Sequence, residues 1–268
     1  MPFDMLELRL TPKVRFPRNN GDVVLRRKLG NGEHGSVHVA LLRDRGKVFR
    51  RALKLFKPTY FNLDKFLAVQ ATGAYEEEAV CVPTQLVRID VTDYGLLMPI
   101  CKPVPPGDPK TAEAVLNLPK LYKTRGLSNV DLKLSNLALF RERVLPIDPD
   151  SIVRTTTRDG YYGSYVPWQV DHPPWGANPT DNQWAEIYDV LEEPRTQYLL
   201  TCWAAIATAL SVTQNVGCGD AIWRNRNTFI QNSKSRLSST SFAKLTSMGK
   251  YVNQTWPLVL KRLHLASA

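Results

Sequence analysis

The chain is 268 residues long, 43% hydrophobic and 22% charged, so it holds enough apolar material for a packed core and is not disordered by composition. Its formal net charge is +10 and unevenly placed: no acidic residue follows Asp220, whereas Arg224, Arg226, Lys234, Arg236, Lys244, Lys250, Lys261 and Arg262 do. Such a segment suits an acidic protein or an anionic membrane surface; a nucleic-acid partner rests on this basic run alone and is the weakest of the three.

Residues 1–21 read as an N-terminal extension. Strand patterning begins at residues 22–29, runs into a glycine cluster, resumes with partial alternation at 36–42, and gives a third strand over 47–56 that Pro58 ends. From Asn62 to Val80 the residues Leu63, Phe66, Leu67, Ala71 and Ala74 recur at intervals of three and four, which predicts a helix. Gly73 weakens that helix by about 1 kcal/mol relative to alanine. Short strands near 85–91 and 94–99 follow, then a proline-rich link over 102–109. Beyond the link the pattern turns helical, at 183–191, at 196–213 and more weakly after Ser239, and residues 155–182 read as a long loop. Residues 221–268 are expected to be a basic segment, helical or partly flexible. A β-rich half followed by a helical half, joined by a proline-bearing link, predicts an α+β architecture with lobes at 22–101 and 102–220.

Cys81, Cys101, Cys202 and Cys218 are widely spread and form no Cys-x-x-Cys pair, which argues against a zinc site or a disulfide framework and for a reducing compartment. The first residues lack the basic start and apolar run of a secretory leader, and no stretch approaches the ~20 apolar residues that span a bilayer. A soluble, cytoplasmic protein is expected, peripheral to a membrane at most.

Four stretches carry chemistry. Gly30-Asn31-Gly32-Glu33-His34-Gly35-Ser36-Val37 lies between two strands; a dinucleotide-binding unit needs a helix directly after its glycines, so the pattern fits a hairpin whose backbone closes over phosphates. Arg51-Ala52-Leu53-Lys54-Leu55 sits on the third strand, its lysine among apolar neighbours. Asn129-Val130-Asp131-Leu132-Lys133-Leu134-Ser135-Asn136 supplies a base, a cation and an oxygen ligand within one loop. After a hairpin-like stretch over 140–147 comes Asp148-Pro149-Asp150.

Taken in this order, residues 22–170 resemble the protein kinase superfamily, serine/threonine type. Ala52-Leu53-Lys54 is similar to its Val-Ala-Ile-Lys strand, and Asp131-Leu132-Lys133 through Asn136 to its catalytic loop His-Arg-Asp-Leu-Lys-x-x-Asn from the aspartate onward. The resemblance implies a two-lobed kinase-like fold and an enzyme that uses ATP and magnesium, with manganese as an alternative metal, to phosphorylate serine or threonine on a protein substrate. It implies that Gly30, Gly32 and Gly35 cover the phosphates and that Lys54 holds the α- and β-phosphates. The lysine then needs a carboxylate on the following helix. An inward-facing carboxylate is costly unless paired, and Glu78 continues the apolar face toward Cys81, so Glu78 is the choice and Glu77 the reserve. Asp131 would orient the substrate hydroxyl and accept its proton, Lys133 would steady the γ-phosphate, and Asn136 and Asp148 would ligate the metal. Val37 and Ala52 would cover adenine from above and Ala138 from below, with Met98 as gatekeeper and Cys101 supplying backbone hydrogen bonds.

The pattern also departs from the family. Asn129 and Val130 replace its His-Arg; without that arginine, activity is expected not to depend on activation-loop phosphorylation. Pro149-Asp150 replaces Phe-Gly, and residues 163–169 are faintly similar to the end of an activation segment but lack its closing glutamate, so a reduced helical lobe is expected. A kinase this stripped-down resembles the small effector kinases that pathogens deliver as virulence factors into the host cytosol. Ser233, Ser235, Ser238, Ser239 and Ser241, close to basic residues, would then be candidates for autophosphorylation. Two other functions stay open on the residues. A pseudokinase binding module is favoured by the altered motifs and opposed by the intact set Lys54, Asp131, Lys133, Asn136 and Asp148. A lipid or small-molecule phosphotransferase is opposed by Lys133 and the glycine loop.

Overall fold

The alternation read from residues 22–56 folds as an antiparallel meander: β3 (Asp22–Asn31), β4 (Gly35–Asp44) and β5 (Lys47–Phe56) follow one another as neighbours. The computed structural model describes residues 6–7, 9–11, 22–32, 34–44, 47–57, 60–75, 80–89, 93–155, 187, 189–216 and 220–263. The chain is α+β and divides into two compact units, residues 1–102 and 103–268.

In the first unit the short strands β1 (Leu6–Glu7) and β2 (Arg9–Thr11) precede the meander, and α1 (Leu63–Gln70), β6 (Gln85–Arg88) and β7 (Tyr94–Met98) follow it. The sheet order is β1-β6-β7-β5-β4-β3-β2, antiparallel from β6 to β3, with β1 and β2 added in parallel at the two edges. Side chains alternate across a sheet. Val23, Ala40, Leu42, Leu53, Val87 and Leu97 form the core of one face, with Leu25, Leu55 and Ile89 packed against it. Ala52, Lys54 and Phe56, at the intervening positions of β5, belong to the other face.

The helix expected over 62–80 is shorter. Asn62 caps α1, its Oδ1 accepting the Lys65 N–H at 2.9 Å, and the helix closes at Gln70. Thr72 turns its hydroxyl onto the Val69 carbonyl at 2.6 Å, and Gly73 sits at φ +74°, a conformation that does not continue a right-handed helix. The inward face is carried by Phe66 and Val69, whereas Leu67, expected on it, is 41% exposed. Phe66 stacks on Tyr75 with centroids 4.4 Å apart, and Phe61 bridges Phe56, Phe66 and Tyr94. Strands β6 and β7 end at Arg88 and Met98, within the stretches expected for them.

The short strand β8 (Lys102–Pro103) lies at the boundary of the units. The second unit is organised around α4 (Pro194–Gln214), sixteen of whose 21 residues are buried; a helix apolar on all sides belongs in the centre of a fold. Helices α2 (Pro109–Val115) and α3 (Leu118–Thr124) pack on it, as does β9 (Leu127–Asn129). The stretch expected to be mostly helical, with a hairpin-like segment over 140–147, holds two small sheets. Strand β10 (Leu137–Phe140) forms a hairpin with β11 (Arg143–Pro146), and β12 (Ile152–Arg154) pairs antiparallel with β9. The helix expected over 183–191 falls largely outside the described residues, of which 187 and 189–191 are helical.

Within residues 221–263, the described part of this segment, the chain forms three helices: α5 (Asp220–Arg224), α6 (Arg226–Asn232) and α7 (Ser239–Arg262). The pattern after Ser239 is weak because α7 contains Gly249 and Pro257. Gly249 lets the helices approach closely: a Cβ there would stand 2.6 Å from Ile230 Cδ1, the tip of a side chain that would have to turn aside. Trp203 of α4, Trp223 of α5 and Trp256 of α7 meet edge to face at 4.8 and 5.9 Å, burying the segment against the central helix. Among the described residues no helix is long and apolar enough to cross a membrane.

Candidate functional site

In the first unit Val37, Ala52, Lys54 and Met98, among the residues singled out for nucleotide binding, share one sheet face. Strand register sets Val37 beside Lys54, Val39 beside Ala52, Ala52 beside Met98 and Lys54 beside Leu96. Val39, Ala52, Leu96 and Met98 are all buried, and Lys54 is only 8% exposed. Its Nζ stands 5.0 Å from the centroid of the Phe56 ring, two residues on along the same face, a cation–π contact that partly offsets the desolvation of the ammonium. The glycine cluster is the β3–β4 hairpin turn, closed by the Gly32 N–H donating to the Gly35 carbonyl at 2.9 Å. Its three glycines are not equivalent. A Cβ on Gly35 would stand 2.1 Å from the Leu55 carbonyl oxygen of the neighbouring strand, so packing alone demands glycine there, whereas Gly30 and Gly32 border open space. Cys101 is half-buried, its Sγ directed to the Pro99 carbonyl at 3.6 Å, and burial pushes its thiol up to about 11. Glu77 and Glu78 lie outside the described residues, as does the 163–169 segment.

In the second unit Asp131, Lys133, Asn136 and Asp148 come together. The chain leaves β9 at Asn129, runs without regular structure through Asp131 and Leu132, is extended at Lys133, and makes a 3₁₀ turn over Leu134–Asn136 before β10. Asn136 Nδ2 donates to Asp131 twice, to the carbonyl at 3.0 Å and to Oδ2 at 2.8 Å, and lies 3.5 Å from Asp148 Oδ2. Lys133 Nζ is 3.0 Å from the same Oδ2 of Asp131, and Asp131 is 6% exposed. Asp148 is delivered to the cluster by the β10–β11 hairpin, tied back by the Ile147 N–H to the Asn136 carbonyl at 2.9 Å. Two residues in left-handed conformation, Arg141 at φ 48° and Glu142 at φ 62°, make the turn of that hairpin.

Residues that sequence reasoning passed over hold this loop. Asn129, read as the loss of a family histidine, is 1% exposed, and its Oδ1 accepts the Asp131 N–H at 3.1 Å. The Ser151 hydroxyl lies 3.2 Å from that Oδ1 and 2.6 Å from the Asp148 carbonyl, so one serine links both acidic segments. Helix α4 carries the loop from beneath. Thr201 Oγ1 accepts the Asn129 N–H at 3.1 Å and donates to the Gln197 carbonyl at 2.8 Å, and the Thr208 hydroxyl donates to the Leu132 carbonyl at 2.5 Å. Gln197 in turn accepts from Ser128 at 3.0 Å. The available signal was Thr201 and Thr208, two threonines seven apart within the mostly apolar stretch Leu199–Leu210 of α4.

No group of three or more His, Cys, Asp or Glu side chains placed to cage a metal occurs among the described residues. The donor types present are an asparagine amide and a carboxylate: Asn136 faces Asp131 and Asp148 with its Nδ2, and magnesium is a metal that binds through few protein oxygens plus phosphates.

The C-terminal expectations change more. Ser233 is fully buried, its hydroxyl 3.1 Å from Thr213 Oγ1 and accepting from Gln214 Nε2 at 2.9 Å; Ser238 caps α7; Ser241 is 9% exposed. Of the five candidate phosphorylation sites, Ser235 and Ser239 are exposed and uncommitted to a cap or core contact. Arg226, Arg236, Lys244 and Arg262 are among the cations engaged within the unit. Arg226 lies over the Trp223 ring at 4.2 Å and donates to its carbonyl, Arg236 donates to the Thr213 carbonyl, Lys244 to Asn117, and Arg262 grips Glu193 with both terminal nitrogens. Part of the basic charge therefore closes the fold on itself. No family model matches this chain, and no curated protein matches its sequence.

Proposed function

We propose that this chain is an ATP- and magnesium-dependent protein kinase that phosphorylates serine or threonine on a protein substrate. The observation that carries the reading is the junction of Asp131, Lys133, Asn136 and Asp148 in one hydrogen-bonded cluster, built from two segments of sequence and braced by a buried helix. A second support is the sheet face that gathers Val37, Ala52, Lys54 and Met98, the residue types a nucleotide's ring and phosphates require.

Each side chain then has a role that its surroundings suit. Asp131 is the base that receives the hydroxyl proton, its carboxylate oriented by the Asn136 amide and its backbone by Asn129. Lys133, held at that carboxylate, is the cation set against charge on the transferring group. Asn136 Oδ1 and Asp148 are the oxygens for magnesium or manganese. Bound metal–ATP supplies the phosphoryl group and the divalent charge that neutralises it. Lys54 supplies the phosphate-binding cation. Val130 occupies the place from which a family arginine reads a phosphorylated loop; it is buried and uncharged, which supports an activity free of that control.

The test is transfer of radiolabelled γ-phosphate from ATP with magnesium, to the protein itself and to a generic basic protein, by wild type and by Asp131→Ala. Label on serine or threonine that the variant loses by orders of magnitude supports the proposal. ATP binding without transfer to any acceptor would make the chain a pseudokinase binding module. Transfer to lipid or metabolite acceptors in place of protein would make it a small-molecule phosphotransferase.

A further inference from the structure

A groove of about 420 Å³ on the sheet of the first unit is lined by Arg26, Arg27, Val39, Leu41 and Arg50. Two of these are consecutive in sequence, and consecutive residues of a regular strand point to opposite faces. A bulge brings them together. Leu25 stands opposite Ala40 and Lys28 opposite His38, so β3 carries one extra residue over Arg26–Arg27, where β4 supplies only Val39. Bulges re-aim side chains in this way. Across β4, Arg50 pairs with Leu41. The result is a floor of Val39 and Leu41 along which three exposed arginine side chains lie.

We propose that this groove docks an extended acidic segment of a protein partner, an apolar side chain resting on Val39 and Leu41 and flanking carboxylates paired with Arg26, Arg27 and Arg50. Charge complementarity selects an anion, and the chemistry selects its kind. Guanidinium forks match planar carboxylates in bidentate pairs, which lysines do not. Single-stranded nucleic acid asks for aromatic platforms, and no aromatic residue lines the groove. A lipid surface is met by protruding side chains, whereas the apolar residues here form a floor, Val39 being 2% exposed. The proposal does not rest on phosphoryl transfer, and it stands or falls separately from that reading.

The experiment is a fluorescence-anisotropy titration of the full chain with a fluorescein-labelled peptide Glu-Glu-Leu-Glu-Ile-Glu at low salt, beside the same peptide with glutamine at every glutamate. Wild type is expected to bind the acidic peptide at least tenfold more tightly than the glutamine peptide. Arg50→Glu is expected to weaken it at least tenfold while melting like wild type. Replacing Arg26, Arg27 and Arg50 together by lysine conserves charge and fold, and is expected to weaken binding several-fold through loss of the forks. Equal binding of the two peptides, no binding of either, or lysine and Arg50→Glu variants that bind as wild type does would overturn the proposal. So would tighter, Arg50-dependent binding of a dT12 oligonucleotide or of phosphatidylserine vesicles.

Discussion

Thr208→Val isolates the hydrogen bond by which α4 carries the loop of Asp131. Valine nearly matches threonine in shape, so no cavity opens, and the change reduces to deleting the hydroxyl that donates to the Leu132 carbonyl at 2.5 Å. Thr208 and Leu132 are both fully buried, so water does not replace the lost donor. A buried group left without its partner costs about 1–3 kcal/mol, and at about 2 kcal/mol a domain of this size loses about 4–8 °C in Tm. The comparison is Thr246→Val, which removes a hydroxyl of the same chemistry, bonded to the Phe242 carbonyl at 2.9 Å on an exposed face of α7. Exposed, it is expected to change stability by less than about 0.5 kcal/mol. Differential scanning calorimetry of the two variants beside wild type reads both effects. If Thr208→Val melts within a degree of wild type, or if Thr246→Val costs as much, the loop is not held from α4 as described.

Gly35→Ala is expected to destabilise by about 1–3 kcal/mol or more, because its Cβ meets the Leu55 carbonyl, while Gly32→Ala leaves urea unfolding near wild type; equal costs would contradict the close approach of β4 to β5. Glu142→Gly is expected to raise stability by about 1 kcal/mol, since glycine adopts the left-handed turn at φ 62° without a Cβ penalty, and a lowered Tm would count against that turn. Burial pushes the thiols of Cys81 and Cys202 up to about 12, whereas the unfolded chain releases these protons near 9.0. Above that pH the unfolded state binds fewer protons than the folded one, so this contribution is whole below pH ~9 and is lost as pH rises toward ~12. Urea midpoints measured between pH 7.5 and 11 should fall, and fall less steeply in Cys81→Ala; identical slopes would exclude a buried neutral thiol at Cys81.

Much of the fold could be read locally. The strand–glycine–strand order of residues 22–56 survives because alternation and a turn-forming cluster are properties of adjacent residues, and α4 declares itself through apolar residues on every side. The spacing Asp131–Lys133–Asn136 likewise ties three side chains to one short loop, so their meeting required little from the rest of the chain. What tertiary structure decided lies at long sequence separation. Thr208 meets Leu132 across 76 residues, and Asn129 becomes a brace only because Ser151 and Thr201 arrive beside it. The basic tail reads as solvent-facing in sequence, yet Ser233 is buried and Arg226, Arg236, Lys244 and Arg262 find partners on other elements. Arg26 and Arg27 share a groove only through a bulge, a register shift that no property of β3 alone specifies. Periodicity reports which face of an element is apolar; which polar group satisfies which depends on the partners that packing delivers, and those come from distant parts of the chain.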